Sequence, residues 1–121
     1  EPSRILFLDT GRVLTTCPSA CSHHSRLIQN LLYISSQKNL NLSRRIFHTS
    51  SKSIRGRLLS YLSFQATKNG CRDFYIPFNR QQLADYLSID RSAMSSELSK
   101  MRKEGILDTD KNHFILKTDL M

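Results

Sequence analysis

For sixty-three consecutive residues, from Thr10 to Arg72, the chain carries no aspartate or glutamate, against ten lysines and arginines. An ordinary solvated surface mixes its charges, so an absence of this length favours an anionic partner, nucleic acid first among them. The remainder, Asp73 to Met121, holds eight acids and seven bases, and the formal net charge of +8 therefore sits mainly in the middle of the chain. Nowhere is there an apolar run of eighteen residues, which excludes a membrane-spanning helix. A basic-then-apolar leader with a small-residue cleavage site is also missing, so secretion is not expected. Three cysteines, an odd number, argue against a disulfide scaffold and fit a reducing compartment; a cytoplasmic protein is expected. Neither a glycine-rich phosphate loop nor a nucleophile with an obvious base is present. Serine enrichment without a positioned histidine and acid is not a catalytic signature, and an enzyme is not expected.

What is there suffices for one ordinary domain, or a small domain with a long appendage: 121 residues, 39% of them hydrophobic. The chain opens on Glu1, and residues 4–16 (RILFLDTGRVLTT) mix an apolar run with a turn signal, reading as two strand pieces. Two such pieces are marginal in water by themselves, so a missing N-terminal part is expected. From Ser22 to His48 there is neither glycine nor proline. Leu27, Ile28, Leu31, Leu32 and Ile34 recur at helical spacing there, and Leu42 and Ile46 resume the pattern after Ser35, Lys38 and Asn39 interrupt it. A helix so long with an apolar side needs a partner, and a second copy of the chain is the simplest source.

A second helix is expected from about Ser53 to Lys68, burying Ile54, Leu58, Leu59, Leu62 and Phe64 and ended by Asn69-Gly70. The segment DFYIPF reads as a short strand stopped by Pro77. Asn79 then caps a helix, with Gln82 placed for a capping box. Ser88-Ile89 makes a turn, Asp90 caps the next helix and Gly105 closes it, before ILDT and HFIL form a hairpin joined by DKN. The order helix, strand, helix, turn, helix, hairpin is that of a winged helix-turn-helix. The fold class expected is mainly α with a small β part: a long dimerisation helix followed by that domain.

Ala84 supplies the small residue where two helices cross, and Leu83, Leu87, Ile89, Met94 and Leu98 supply the apolar pins. On a wheel, Met94, Leu98 and Met101 share one side of the second helix. Opposite them fall Ser92, Ser96, Ser99 and Lys103, flanked by Ser95 and Lys100, with Arg91 at the N-terminal end. A merely structural helix usually presents glutamate and lysine to solvent, which have better propensity. Serines are short and let a backbone approach a groove closely. Arg91 is the one side chain of that surface suited to a bidentate grip on guanine; Ser92, Ser95 and Ser96 can touch bases with weaker discrimination. Arg80, Gln81, Ser99, Lys100 and Lys103 are expected at phosphates, which position rather than specify. The competing interpretations of the same surface are a plain solvated helix and a protein-interaction module.

The stretch FNRQQLADYLSIDRSAMSSELSKMRKEGIL, followed by KNHFIL, resembles the C-terminal winged-helix domain of the Crp/Fnr superfamily of bacterial transcription regulators. HSRLIQNLLYISSQKNLNLSRRI resembles the long dimerisation helix of such proteins, and ILFLD the end of their sensor β-roll. The resemblance implies three parts: a β-roll remnant over residues 1–20, a dimerisation helix over 21–48, and a winged helix-turn-helix over 49–121. It further implies a homodimer that reads a palindromic promoter site in double-stranded DNA, with RNA polymerase as a further partner and no membrane. Base-reading positions in the family match Arg91, Ser92, Ser95 and Ser96. Serine at 92 and 96 stands where glutamate and arginine are frequent, so no family consensus transfers directly. Nothing matches the family's cyclic-nucleotide cassette, and no cofactor is expected in this fragment.

One cluster stands apart. In CPSACSHH, Cys17 and Cys21 lie four residues apart, and Cys21 with His24 would share a helix face. In a parallel dimer the two copies would supply enough ligands for a metal ion or an iron–sulfur cluster. That makes a metal- or redox-sensing module the alternative function; two inert thiols and a helix-start histidine make the plainer account. Cys71, His48 and His113 have no partners in sequence and read as incidental or structural.

Overall fold

The computed structural model describes residues 2–9, 11–12 and 22–118. The chain divides into two compact units, residues 1–42 and 43–121. In the first, residues 2–9 adopt no regular structure, so the strand expected over the first part of residues 4–16 is not formed. The reason is an absent partner: a lone strand leaves its N–H and C=O groups unpaired, and no second strand lies beside it among the described residues. Asp9 instead turns its carboxylate back to accept from the Gly11 N–H at 3.1 Å. Helix α1 runs Ser22–Thr49, unbroken through the positions that interrupt its apolar seam.

The second unit begins with about the last two turns of α1. It continues with α2 (Ile54–Asn69), β1 (Asp73–Tyr75), α3 (Arg80–Leu87), α4 (Arg91–Lys103), β2 (Leu107–Asp110) and β3 (His113–Leu116). The three strands form one antiparallel sheet in the order β1-β3-β2, with Phe74 opposite Phe114 and Leu107 opposite Leu116. Only Lys111 and Asn112 lie between β2 and β3, and Lys111 takes the positive φ of 53° that so tight a turn requires. This is the winged helix-turn-helix anticipated from the sequence.

Helices α2, α3 and α4 each start where a side chain can satisfy their orphan N–H groups. Ser53 accepts from Gly56, Asp90 from Ala93, and Asn79 with Gln82 forms a reciprocal capping box. The ends are equally uniform: Gly70 and Cys71 after α2, Ser88 and Ile89 after α3, and Gly105 and Ile106 after α4 donate back to carbonyls three and five residues earlier. Gly70 and Gly105 take the left-handed conformation this motif needs, at φ 68° and 75°. In α3 the same place falls to Ser88, at φ 55° and ψ 48°. A Cβ there costs about 1–2 kcal/mol, more than the roughly 0.5–1 kcal/mol by which glycine's unfolded-state freedom would offset the gain. Ser88→Gly is therefore expected to raise stability by about 0.5–1 kcal/mol, read as a higher urea midpoint at unchanged slope.

The core joins Leu58 and Leu62 of α2, Leu83, Ala84 and Leu87 of α3, Met94, Leu98 and Met101 of α4, and Phe74, Ile76, Leu107, Phe114 and Leu116 of the sheet. Ala84 has no exposed surface, which is why nothing larger fits where the two helices meet. The α2 face is rotated slightly from the expected one. Tyr61 and Gln65 are buried, whereas Ile54, Leu59 and Phe64 are only partly covered. The reason lies in an aromatic cluster of Tyr61, Phe78 and Tyr86 that draws that side of the helix inward.

Candidate nucleic-acid interface

Helix α4 buries Met94, Leu98 and Met101 and leaves Arg91, Ser92, Ser95, Ser96, Ser99, Lys100 and Lys103 exposed, so the serine face is turned to solvent. Among the described residues, the side chains of Arg91, Ser92, Ser96 and Lys103 engage no hydrogen-bond or ion-pair partner. Ser99 is partly spent: its hydroxyl donates back to the Ser95 carbonyl at 3.0 Å. Lys100 stands 4.0 Å from Glu97, a loose pairing that leaves its charge facing outward.

Four acids of this half of the chain are engaged elsewhere in the domain. Glu97 and Glu104 both turn toward α2, where Arg55 holds the first at 2.6 Å and the second through two bonds at 2.7 and 2.9 Å. Asp108 is taken by Arg102 at 3.0 Å and Asp73 by His113. The arginine fork spanning two carboxylates fixes the pitch of α4 on α2, since its planar geometry permits little sliding. Arg55 was invisible as a functional residue in sequence; the one signal was its place in an acid-free run that needed internal counterparts elsewhere.

Two more arginines of that run serve the turn before α4. Arg57 donates to the carbonyls of Leu87 and Ser88 at 3.1 and 2.9 Å and to Ser51 at 2.8 Å. Arg45 donates to those of Asp85 and Tyr86 at 3.1 and 3.0 Å. The four carbonyls at the end of α3 thus face two guanidinium groups, the cationic partner a helix C-terminus favours. Part of the basic excess is therefore architectural.

At the other end of α3, Gln81 donates to Asp85 at 2.9 Å and stays exposed. Arg80 is only partly exposed, with Nη2 on Thr109 Oγ1 at 2.8 Å and the guanidinium 5.3 Å above the Phe114 ring. Burial lowers its pKa from the usual guanidinium value. A concavity of about 620 Å³ gathers the start of α3 with Arg91 and the wing turn Lys111-Asn112. Three cations (Arg80, Arg91 and Lys111), a helix N-terminus and four amide side chains line it, a surface suited to a phosphate group.

His48, in the last turn of α1, is almost fully buried among Phe47, Tyr61, Phe64 and Tyr86, with Nδ1 2.8 Å from Ser60 Oγ. Burial first, and then the Arg44 charge, lower its pKa below 6.5. The folded chain keeps this ring neutral where an unfolded chain would protonate it, so stability falls as pH drops below about 6.5 and is unaffected above. Urea midpoints at pH 7.5 and 5.5 check this: the fall in the parent chain is expected to shrink in His48→Phe.

Of the remaining expected residues, Leu27, Leu32, Ile34, Leu42 and Ile46 of α1 are exposed, and Ile28 and Leu31 partly so. Cys17 and Cys21 lie outside the described residues, and His24 stands in the first turn of α1. Cys71 is exposed, its thiol 3.0 Å from the Asp73 carbonyl. Among the described residues no helix is long and apolar enough to cross a membrane.

Comparison with known proteins adds one finding. The family model of the Crp-like helix-turn-helix domain matches residues 56–120, more than half of the chain. A search of curated proteins finds no match.

Proposed function

The chain belongs to the Crp-like helix-turn-helix family and is a DNA-binding transcription regulator, and from that premise we propose that it reads a palindromic promoter site as a homodimer. One observation carries the reading: the exposed face of α4 has no acid, has Arg91 at its leading end, and has its neighbouring glutamates locked onto Arg55. In this reading Arg91, Ser92, Ser95 and Ser96 meet base edges in the major groove, and Gln81, Ser99, Lys100 and Lys103 lie along the phosphates. Residues 21–48 serve as the dimerisation segment, supported by the apolar side chains that α1 leaves uncovered on a single chain. Two-fold symmetry of the protein then matches two-fold symmetry of the site. RNA polymerase is the further partner implied by the family resemblance.

Fluorescence anisotropy tests this on a TTGA/TCAA-type palindrome, the operator type suggested by the resemblance, against a scrambled duplex of equal length. The palindrome is expected to bind more tightly at every salt concentration, with two chains per duplex by sedimentation. Equal affinity for both, with a steep salt dependence, would leave a phosphate-holding protein and overturn sequence reading.

A further inference from the structure

Three features of Arg80 point away from a phosphate contact. Its Nη2 is committed to Thr109 of β2, its guanidinium lies on the ring of the fully buried Phe114, and its Nη1 is shut off from solvent without a hydrogen-bond partner. To grip a phosphate the side chain would have to leave both the hydroxyl and the ring.

The strand it reaches is one of the two edges of the sheet. In the order β1-β3-β2, β2 is an edge strand, paired on one side only, and the hairpin it forms has strands of four residues. Short hairpins are marginal unless something beyond their own ladder fixes them. Arg80 supplies such a link from the first turn of α3, the element that also bounds the concavity containing Arg91 and Lys111. We propose that Arg80 is a positioning residue for DNA binding: a strut between α3 and the wing that sets where Lys111 stands relative to Arg91. The proposal rests on the assignment of this face to DNA; it gives the phosphate to Lys111 instead of Arg80 and leaves Arg91 to the base edges.

Counterion release separates a strut from a contact. Removing the residue that itself neutralises a phosphate lowers the slope of log affinity against log salt by about 0.9 per bound chain, and Thr109→Val removes no charge; a strut broken from either end lowers affinity alike, whereas a phosphate contact at Arg80 shows in the arginine variant alone. The full chain is compared with Arg80→Met, Thr109→Val and the double variant, well below the melting temperature of each. Duplex affinity is measured over a range of salt, and amide exchange across β2 and β3 is measured without DNA. Both single variants are expected to lose about 5-fold or more in affinity, by similar amounts and with the same slope as each other, since each breaks the one Arg80–Thr109 hydrogen bond. The double variant is expected to be no weaker than the worse single one. Exchange at the wing is expected to quicken in all three. A slope reduced by about 0.9 in Arg80→Met, with Thr109→Val binding like the parent, would make Arg80 a phosphate contact and end the proposal. Unchanged wing exchange in the single variants would end it too. Should the parent chain bind no duplex, the DNA assignment fails, while wing exchange still decides whether Arg80 holds the hairpin.

Discussion

Arg91→Ala is expected to cost about 1–3 kcal/mol of binding at each half-site, roughly 5- to 150-fold, on the cognate duplex. Loss on a scrambled duplex is expected to be much smaller. The asymmetry follows from what surrounds the side chain. Arg91 is exposed at the first turn of α4 and has no internal partner among the described residues, so no fold contact is lost with it. Its neighbours on the groove-facing side are serines, each a short group with one hydroxyl, which cannot replace a planar fork on guanine. Removing a mere phosphate charge would instead weaken both duplexes alike and lower the salt slope. Anisotropy titrations of both duplexes with parent and variant decide the matter, and equal loss on the two would remove Arg91 from the base-reading set.

The largest stability effect is expected from Phe114→Ala, about 3–5 kcal/mol. Phe114 has no exposed surface, sits at the middle strand of the sheet and stacks on Phe74 with ring centres 6.4 Å apart. It also forms the surface on which the Arg80 guanidinium rests. Truncation would leave a cavity beside Phe74 in the shared core, and a small sheet held at its centre strand has little means to collapse onto the gap. Typical domain stabilities are about 5–15 kcal/mol, so a loss of that size would leave much of the population unfolded near 37 °C. Thermal and urea unfolding followed by circular dichroism measure it. A loss below about 1 kcal/mol would mean that the wing is not part of the cooperative unit.

Local signals settled most of the architecture of residues 53–116. Asn79 with Gln82, Asp90, Gly70 and Gly105 are cap and end residues whose effect is exerted over one turn, and each acts where its spacing places it. The apolar pins of α3 and α4 follow from helical periodicity in the same way, and so does the outward direction of the serines. By contrast, the apolar run near the N-terminus looked like strand because strand propensity is local, while strand formation needs a partner that no single segment can announce. The switch of buried face in α2, with Tyr61 and Gln65 inside and Phe64 partly out, likewise depends on aromatic side chains of other elements.

Charge divides along the same line. That the chain is basic, where its acids are missing, and which side of α4 is rich in serine are facts of composition and spacing, and they sufficed to suggest a nucleic-acid partner. Which charges are available is decided by tertiary structure alone. Arg45, Arg55 and Arg57, three of the ten bases in the acid-free run, are bound to carbonyls and carboxylates of the domain itself. Glu97 sits in the reading helix yet faces away from the reading surface, because a guanidinium forty-two residues earlier meets it there. Hydrogen bonds act within a few ångströms and screened charges within about ten, so both depend on distances in space that sequence separation does not encode. The sequence determines what kind of surface this chain presents; the packing of α1, α2 and the wing around α3 and α4 within the second unit decides which of its arginines remain to meet DNA.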